Sequence, residues 1–199
     1  MKPFAAAIVL SAMWMPAAIA GDAAGDAMLK VATTCQSCHG LTGDSSSPKI
    51  PRLNGQQADY IAARLKSFLD PTRQTPAATH AMWDIASHIG DDTVPDIAKY
   101  YAQQAPTPPA AKKGKLAATG KSIYERGVGS SVPACQSCHG AHGEGIGAVP
   151  RIAGQHGEYL TMQLLSFNVT LRYHETMDHN AMYLSEEQIA ALVAYLGNN

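Results

Sequence analysis

Two copies of a five-residue motif constrain this chain more than any other feature of its sequence. They contain all four of its cysteines, as Cys35-Gln36-Ser37-Cys38-His39 and Cys135-Gln136-Ser137-Cys138-His139. The C-x-x-C-H pattern is the signature of c-type haem attachment. Two thiols one helical turn apart can add across the two vinyl groups on one side of a porphyrin, and the next histidine can bind the iron. The motifs therefore predict two covalently bound haems, attached through Cys35, Cys38, Cys135 and Cys138, with His39 and His139 as iron ligands.

Other uses of paired cysteines explain less of this pattern. A zinc site would combine two C-x-x-C pairs into four ligands, but it gives no reason for a histidine directly after each pair. An exported chain could form two disulfides instead, and a thioredoxin-like redox pair would need a βαβ context that the sequence lacks. Haem attachment is favoured over these three alternatives.

The first twenty residues have the order of features found in secretory signal peptides. Lys2 is the only charged residue before Asp22, an apolar run follows from Phe4 to Met15, and Ala18-Ile19-Ala20 is a small-x-small cleavage signal. We expect a signal peptide over residues 1–20, cleaved after Ala20. The alternative, an uncleaved membrane anchor, is disfavoured because the apolar run falls short of the roughly 20 residues that span a bilayer.

The charge of the chain is low. Loss of Lys2 with the signal peptide changes the formal net charge from −1 to −2. Nucleic-acid binding requires a concentrated basic surface, so this class of partner is not expected. The one basic cluster, at Lys112, Lys113 and Lys115, is interpreted as part of a solvated linker.

The repeat extends well beyond the cysteines. Pro51-Arg52-Leu53-Asn54-Gly55-Gln56 returns as Pro150-Arg151-Ile152-Ala153-Gly154-Gln155, and at the same offset of 99 Tyr60 matches Tyr159 and Arg73 matches Arg172. Farther along, the offset falls to 95 and pairs Met82 with Met177. Such self-similarity indicates a duplicated domain. We place domain 1 at residues 21–102, a linker rich in Pro, Ala and Lys at 103–118, and domain 2 at 119–199.

The hydrophobic pattern predicts helices and no strands. Met28, Val31 and Cys35 have helical spacing, and a stripe from Tyr60 to Leu69 stops at Asp70-Pro71. Each half closes with a helix that carries a capping sequence, Thr93-x-x-Asp96 in the first and Ser185-x-x-Gln188 in the second. The predicted fold class is all-α.

With its haem motif, P-R-x-x-G-Q segment and closing helix, each half resembles a class I cytochrome c. The pair is similar to the cytochrome c4 family. The resemblance implies an all-α fold of two tandem class I cytochrome c domains whose haems face each other. It also assigns the backbone carbonyls of Pro51 and Pro150 as acceptors for the iron-binding histidines, and it implies a methionine before each last helix as the second iron ligand.

The repeat favours Met82 and Met177 as these methionines, because both lie seven residues before the turn that precedes the closing helix. Met182 is a competitor in the second half, since it lies only two residues before that turn. His80 and His174 precede the two methionines closely and offer bis-histidine ligation instead. Arg73 and Arg172 are candidate partners of haem propionates, with an exposed position at a helix end as the alternative. Histidines to which we assign no chemistry are predicted to be surface residues: His88, His142, His156 and His179.

Histidine and methionine fill the two iron positions that the four porphyrin nitrogens leave. Substrate chemistry needs an open position. We therefore expect an electron carrier rather than an enzyme. The resemblance implies a periplasmic protein that moves electrons from a quinol-oxidising, cytochrome bc1-type donor to a terminal oxidase, and it leaves peripheral membrane association open. One alternative is the electron-accepting dihaem subunit of a periplasmic dehydrogenase such as flavocytochrome c sulfide dehydrogenase. Another is a dihaem peroxidase, which would require one domain to lose its methionine ligand.

Overall fold

The computed structural model describes residues 23–70, 78–111 and 114–198. The predicted signal peptide and its cleavage site lie outside these residues. Within them the chain forms helices joined by loops, and its only β-structure consists of isolated bridges such as Val128 with Val132. The predicted all-α fold class is confirmed. None of the described helices is long and apolar enough to cross a membrane.

In the first half, the N-terminal helix runs directly into the first haem motif. The helices are α1 (Ala23–Lys30), a π-helical turn (Val31–Cys35), α2 (Gln36–His39), α3 (Ala58–Ser67), α4 (Ala78–Ser87) and α5 (Val94–Ala102). Helices α1 and α3 pack against α5. Their apolar faces meet around Val31, Ile61, Leu65, Ile97 and Tyr101, which are all buried.

The second half repeats this arrangement with a longer first helix. Its helices are α6 (Lys115–Arg126), α7 (Gln136–His139), α8 (Gly157–Asn168), α9 (Glu175–Ala181) and α10 (Glu186–Leu196). Helix α10 packs against α6 and α8, around a core that includes Tyr124, Leu160, Ile189, Leu192 and Leu196. Because α6 begins at Lys115, the last four residues of the predicted linker belong to the helical second half.

A glycine brings α6 and α10 into backbone contact. A Cβ atom built on Gly120 would lie 1.9 Å from the carbonyl oxygen of Ala191, so no larger residue fits at this crossing. One turn farther along α6, Tyr124 is fully buried and its hydroxyl donates a hydrogen bond to the carbonyl of Gly140. Gly140 directly follows the second haem motif. The crossing of the first and last helices therefore fixes the position of that motif.

The two closing helices begin differently. Ser185 forms the predicted capping box: its backbone N–H donates to the side chain of Gln188 at 2.9 Å, and its hydroxyl accepts from the Gln188 N–H at 3.3 Å. The prediction of a cap at Thr93 is wrong. With φ −83° and ψ −25°, Thr93 already has a helical backbone and makes no side-chain cap hydrogen bond. Pro95, near the first position of α5, suits a helix start because its missing N–H would have no partner there.

Candidate haem-binding sites

Each C-x-x-C-H motif forms a single helical turn. Cys35 and Cys135 directly precede α2 and α7 and already have helical backbone angles. Residues three apart on a helix share a face, so Cys35 lies on the same side as Cys38, and Cys135 on the same side as Cys138. None of the four forms a disulfide, so all four are available for addition to haem vinyl groups. The first cysteine of each pair is half-buried against the core and the second is exposed. Before a haem is attached, burial raises the pKa of the Cys135 thiol to about 11. Burial also raises the pKa of the Cys35 thiol.

The two motif histidines are buried, and each is held by a backbone carbonyl. His39 Nδ1 lies 2.9 Å from the Pro51 oxygen, and His139 Nδ1 lies 2.9 Å from the Pro150 oxygen. A carbonyl can only accept, so Nδ1 carries the proton and Nε2 keeps the lone pair that a metal needs. The prediction that these two prolines supply the acceptors is confirmed.

The environment also favours the neutral form of both rings. Burial lowers the pKa of His39 below its usual value, against the opposing effect of the hydrogen bond to Pro51. Burial likewise lowers the pKa of His139; the hydrogen bond to Pro150 opposes this, and the nearby His174 adds to it. Metal ligation requires the neutral imidazole, so both shifts favour the form of the ring that iron would bind.

The candidate sulfur ligands lie on the helices before the closing helix. Met82, on α4, is half-buried and packs against the same core cluster as Cys35. Met177, on α9, is also half-buried, whereas Met182 follows α9 and is 52% exposed. His174 caps α9 by accepting a hydrogen bond from the Met177 N–H at 3.4 Å. The side chain of His80 lies outside the described residues, as does Arg73.

A buried arginine in the second half supports the fit of a haem. Arg172 is 7% exposed and donates from Nη2 to the Tyr60 hydroxyl of the first half at 3.1 Å. Its guanidinium carbon lies 4.4 Å from the centre of the Phe167 ring. Its Nε has no hydrogen-bond partner among the described residues. A buried cationic N–H requires an acceptor, and a haem propionate is an anion of the right chemistry. This arginine, the four cysteines outside disulfides and the oriented histidines fit a covalent haem, which would supply one-electron exchange at its iron.

Known proteins share this arrangement over most of the chain. Residues 117–199 match the cytochrome c family. Cytochrome c4 of Thiocapsa roseopersicina is 37% identical over 180 residues, which cover 87% of this chain and 90% of that protein. The structure of reduced recombinant cytochrome c4 from Pseudomonas stutzeri superposes with a TM-score of 0.76 at 30% identity, covering 89% of this chain and 98% of the other. This chain belongs to the cytochrome c4 family. It is a dihaem electron carrier with two covalently bound c-type haems.

The chain is also similar to a protein that is named for its redox partner. The thiosulfate dehydrogenase electron acceptor of Stutzerimonas stutzeri is 30% identical over 182 residues, which cover 84% of this chain and 79% of that protein.

In this member of the cytochrome c4 family, two glutamines join the halves with approximate twofold symmetry. The side chain of Gln56 accepts from the Arg151 N–H at 2.7 Å and donates to the Arg151 carbonyl at 2.8 Å. Gln155 accepts from the Arg52 N–H at 2.8 Å and donates to the Arg52 carbonyl at 3.0 Å. Each glutamine is 6% exposed. The P-R-x-x-G-Q repeat contains both residues, but it gave no reason to expect that each one binds the opposite half.

His156 belongs to the same interface. It is 6% exposed, and its Nε2 lies 2.8 Å from the Ser45 carbonyl oxygen in the other half. The prediction that His156 is a surface residue is therefore wrong, because the contact of the two halves buries it. Beside it, Arg52 donates from Nε to Asp44 at 2.7 Å and from Nη1 to the Gly154 carbonyl at 2.8 Å. The interface is thus a polar surface with many hydrogen bonds.

Proposed function

We propose that this protein carries electrons in the periplasm from a quinol-oxidising complex of the cytochrome bc1 type to a terminal oxidase. The observation that supports this most strongly is the pair of buried, carbonyl-anchored histidines, each in a half that also offers a half-buried methionine. Iron held by both ligand types exchanges electrons without a vacant position for substrate. The protein would then act through brief contacts with its partners.

We propose Met82 and Met177 as the second iron ligands. Met82 and Cys35 pack against the same core cluster, so the candidate ligand and the attachment site border one core. In the second half, His174 at the start of α9 contributes to the lowered pKa of His139, which supports a position of this end of the helix near the motif histidine. Met177 is three residues from His174. Met182 lies at the opposite end of α9 and is largely exposed. His174 remains the competing candidate for the second iron ligand in the second half.

We further propose that the mature chain begins at Gly21, after export and cleavage. The supporting feature is the order of Lys2, the apolar run and Ala18-Ile19-Ala20. Intact-mass measurement of the native protein checks this start and the cofactor load together. The expected mass is that of residues 21–199 with two haems, and a mass that retains residues 1–20 would contradict the cleavage.

A second candidate function is electron acceptor of a periplasmic dehydrogenase. It is favoured by the similarity to a thiosulfate dehydrogenase electron acceptor, which points to a donor that oxidises a sulfur compound. In this function the protein would receive electrons from the dehydrogenase rather than from a quinol-oxidising complex. Flavocytochrome c sulfide dehydrogenase, which also uses a dihaem subunit, belongs to the same class of partner.

Stopped-flow mixing separates the two candidates. The reduced protein is mixed with oxidase-containing membranes, and the oxidised protein is mixed with a bc1-type complex plus quinol or with thiosulfate dehydrogenase plus thiosulfate. Rapid oxidation by the membranes and rapid reduction by the bc1-type complex are expected, with cyanide-inhibited membranes as the control. Slow exchange with both, together with fast reduction by the dehydrogenase, would overturn the first proposal and support the second.

A further inference from the structure

Two peptide groups in the interface each make hydrogen bonds at both ends. In the peptide between Pro150 and Arg151, the carbonyl accepts from His139 Nδ1 at 2.9 Å. The N–H of the same peptide donates to the Gln56 side chain at 2.7 Å. The link therefore runs from the histidine of the second half, through one peptide group, to a glutamine of the first half.

The repeat produces the same link in the opposite direction. In the peptide between Pro51 and Arg52, the carbonyl accepts from His39 Nδ1 at 2.9 Å. Its N–H donates to the Gln155 side chain at 2.8 Å. Each motif histidine is thus one peptide group away from a glutamine that belongs to the other domain.

We infer that Gln56 and Gln155 are positioning residues that set the reduction potential of the haem in the opposite domain, through the peptide group that anchors its histidine. The inference rests on the proposed function only in taking His39 and His139 as iron ligands. It assigns the interface a role in tuning the two haems, in addition to holding the domains together.

The direction of the effect follows from hydrogen-bond polarisation. An oxygen that accepts from a peptide N–H increases the negative charge on the carbonyl of that peptide, and this cooperativity is strongest where water is excluded. A more negative Pro150 carbonyl accepts a stronger hydrogen bond from His139. The imidazole then becomes a better electron donor, as outer hydrogen bonds make metal-binding histidines more basic. This stabilises ferric iron and lowers the reduction potential, so loss of the glutamine oxygen should raise it.

The glutamines are held firmly enough to exert this effect. Gln56 Oε1 also accepts from the Gln57 N–H at 2.9 Å, while its Nε2 donates to the Arg151 carbonyl at 2.8 Å. Gln155 Oε1 accepts from the His156 N–H at 3.0 Å in the same way. Two backbone donors on the oxygen and one backbone acceptor on the nitrogen leave only one orientation of each amide. Both side chains are buried, so water does not compete for these contacts.

The test replaces each glutamine by methionine, which has a similar shape but provides no comparable acceptor. The potentials of both haems are measured by spectroelectrochemistry on the full-length holoprotein, and haem-methyl NMR signals assign each potential to its domain. Gln56→Met should raise the potential of the second-domain haem, shifting its one-electron equilibrium by about threefold, or about 30 mV. The first-domain haem should shift by less. Gln155→Met should produce the mirror result.

A matched control comes from the neighbouring residue. Gln57 Nε2 donates to the Glu144 carbonyl across the same interface at 2.9 Å, without touching either linking peptide. Gln57→Met should therefore leave both potentials near those of the unaltered protein. A second readout is solvent exchange of the His139 ring N–H in the ferric protein, which Gln56→Met should accelerate and Gln57→Met should not.

The outcomes distinguish this inference from the proposed function. Equal shifts in Gln56→Met and Gln57→Met, a shift confined to the haem of the same domain, or unchanged potentials with an intact histidine–methionine spectrum would overturn the inference alone. An unaltered protein without histidine ligation would overturn the ligand assignment as well. If Gln56→Met does not accumulate as holoprotein, Gln56→Asn, which withdraws the amide by one methylene, is measured with the same expected direction.

Discussion

His139 and His156 are both buried histidines that hydrogen-bond a backbone carbonyl, yet they use opposite ring nitrogens. His139 bonds Pro150 through Nδ1, which leaves Nε2 for iron. His156 bonds the Ser45 carbonyl through Nε2, so the ring nitrogen that remains available in His139 contacts the other half of the protein in His156. The resemblance to class I cytochromes c predicts the first arrangement. The second depends on a contact between residues 111 positions apart, and nothing in the local sequence around His156 indicates it.

The burial of His156 predicts a pH-dependent contribution to the stability of the protein. Burial lowers the pKa of His156; the Ser45 hydrogen bond opposes this, Arg52 adds to it and Asp44 opposes it. A histidine with a depressed pKa in the folded state stabilises the protein at pH values above about 6.5, its unfolded value, and this contribution is lost as the pH falls. We therefore expect the unfolding temperature to decrease between about pH 7.5 and 5.5 more steeply in the unaltered protein than in His156→Gln.

Thermal unfolding followed by circular dichroism across this pH range checks the expectation. His142→Gln is the matched control, because it removes an exposed histidine in place of a buried one. Parallel profiles for the unaltered protein and His156→Gln would show that the interface histidine makes no pH-dependent contribution.

The methionine ligands give a second prediction at this scale. Met82→Ala and Met177→Ala should each remove about half of the methionine-to-ferric-haem charge-transfer absorption, because each variant removes one of two iron–sulfur bonds. Each should also open one haem to carbon monoxide. Met182→Ala is the control, since Met182 is 52% exposed. Loss of the band in Met182→Ala but not in Met177→Ala would exchange their roles. Retention of the band in both of these variants, with its complete loss in Met82→Ala, would favour His174 in the second half.

Among the helices, sequence patterns predicted the elements better than their ends. The stripe from Tyr60 to Leu69 corresponds to α3, and the capping box at Ser185 begins α10 as expected. Thr93 has the same kind of sequence pattern but no cap, since the backbone is already helical there. A capping pattern specifies the available side chains, whereas the backbone angles of the cap residue depend on how the preceding loop enters the helix. At Thr93 these angles depend on the loop that precedes α5.

The crossing of α6 and α10 can be tested at Gly120. Alanine normally stabilises a helix interior relative to glycine by up to about 1 kcal/mol. Here its Cβ would lie 1.9 Å from the Ala191 carbonyl oxygen, so the two helices must separate. We expect Gly120→Ala to lower the free energy of unfolding by about 1 to 3 kcal/mol despite its better helix propensity.

Chemical denaturation of the holoprotein measures this change. Thr119→Ala, one residue earlier at an exposed position of α6, is the control and should change stability by about 0.5 kcal/mol or less. A stabilising effect of Gly120→Ala would mean that the helices do not cross as closely as described.

For the whole molecule, the repeat predicted two similar domains but not how they meet. Both halves contribute the same P-R-x-x-G-Q segment, and its symmetry allows each glutamine to bind the equivalent arginine backbone of the other half. A periodic sequence indicates that units are equivalent, but the relative orientation of two units depends on their surfaces. In this protein those surfaces are polar, so no apolar stripe indicated them in advance. Association through hydrogen bonds also links each motif histidine, through one peptide group, to a glutamine of the opposite half.

The low charge of the whole molecule predicts weak dependence of electron transfer on salt. Electrostatic attraction between oppositely charged surfaces raises association rates by roughly 10- to 1000-fold, and this gain is lost as salt ions screen the charges. With a formal net charge of −1, or −2 without Lys2, this protein offers little such steering. Between about 0.02 and 0.2 M salt, where the screening length falls to below about 10 Å, we expect the second-order rate of oxidation by oxidase-containing membranes to change by less than about tenfold. Stopped-flow measurement over this range checks the expectation, with reduction by a neutral small molecule as the control for changes in the haems themselves. A steeper decrease confined to the membrane reaction would require a concentrated charged patch at the docking surface, because the overall charge alone could not produce it.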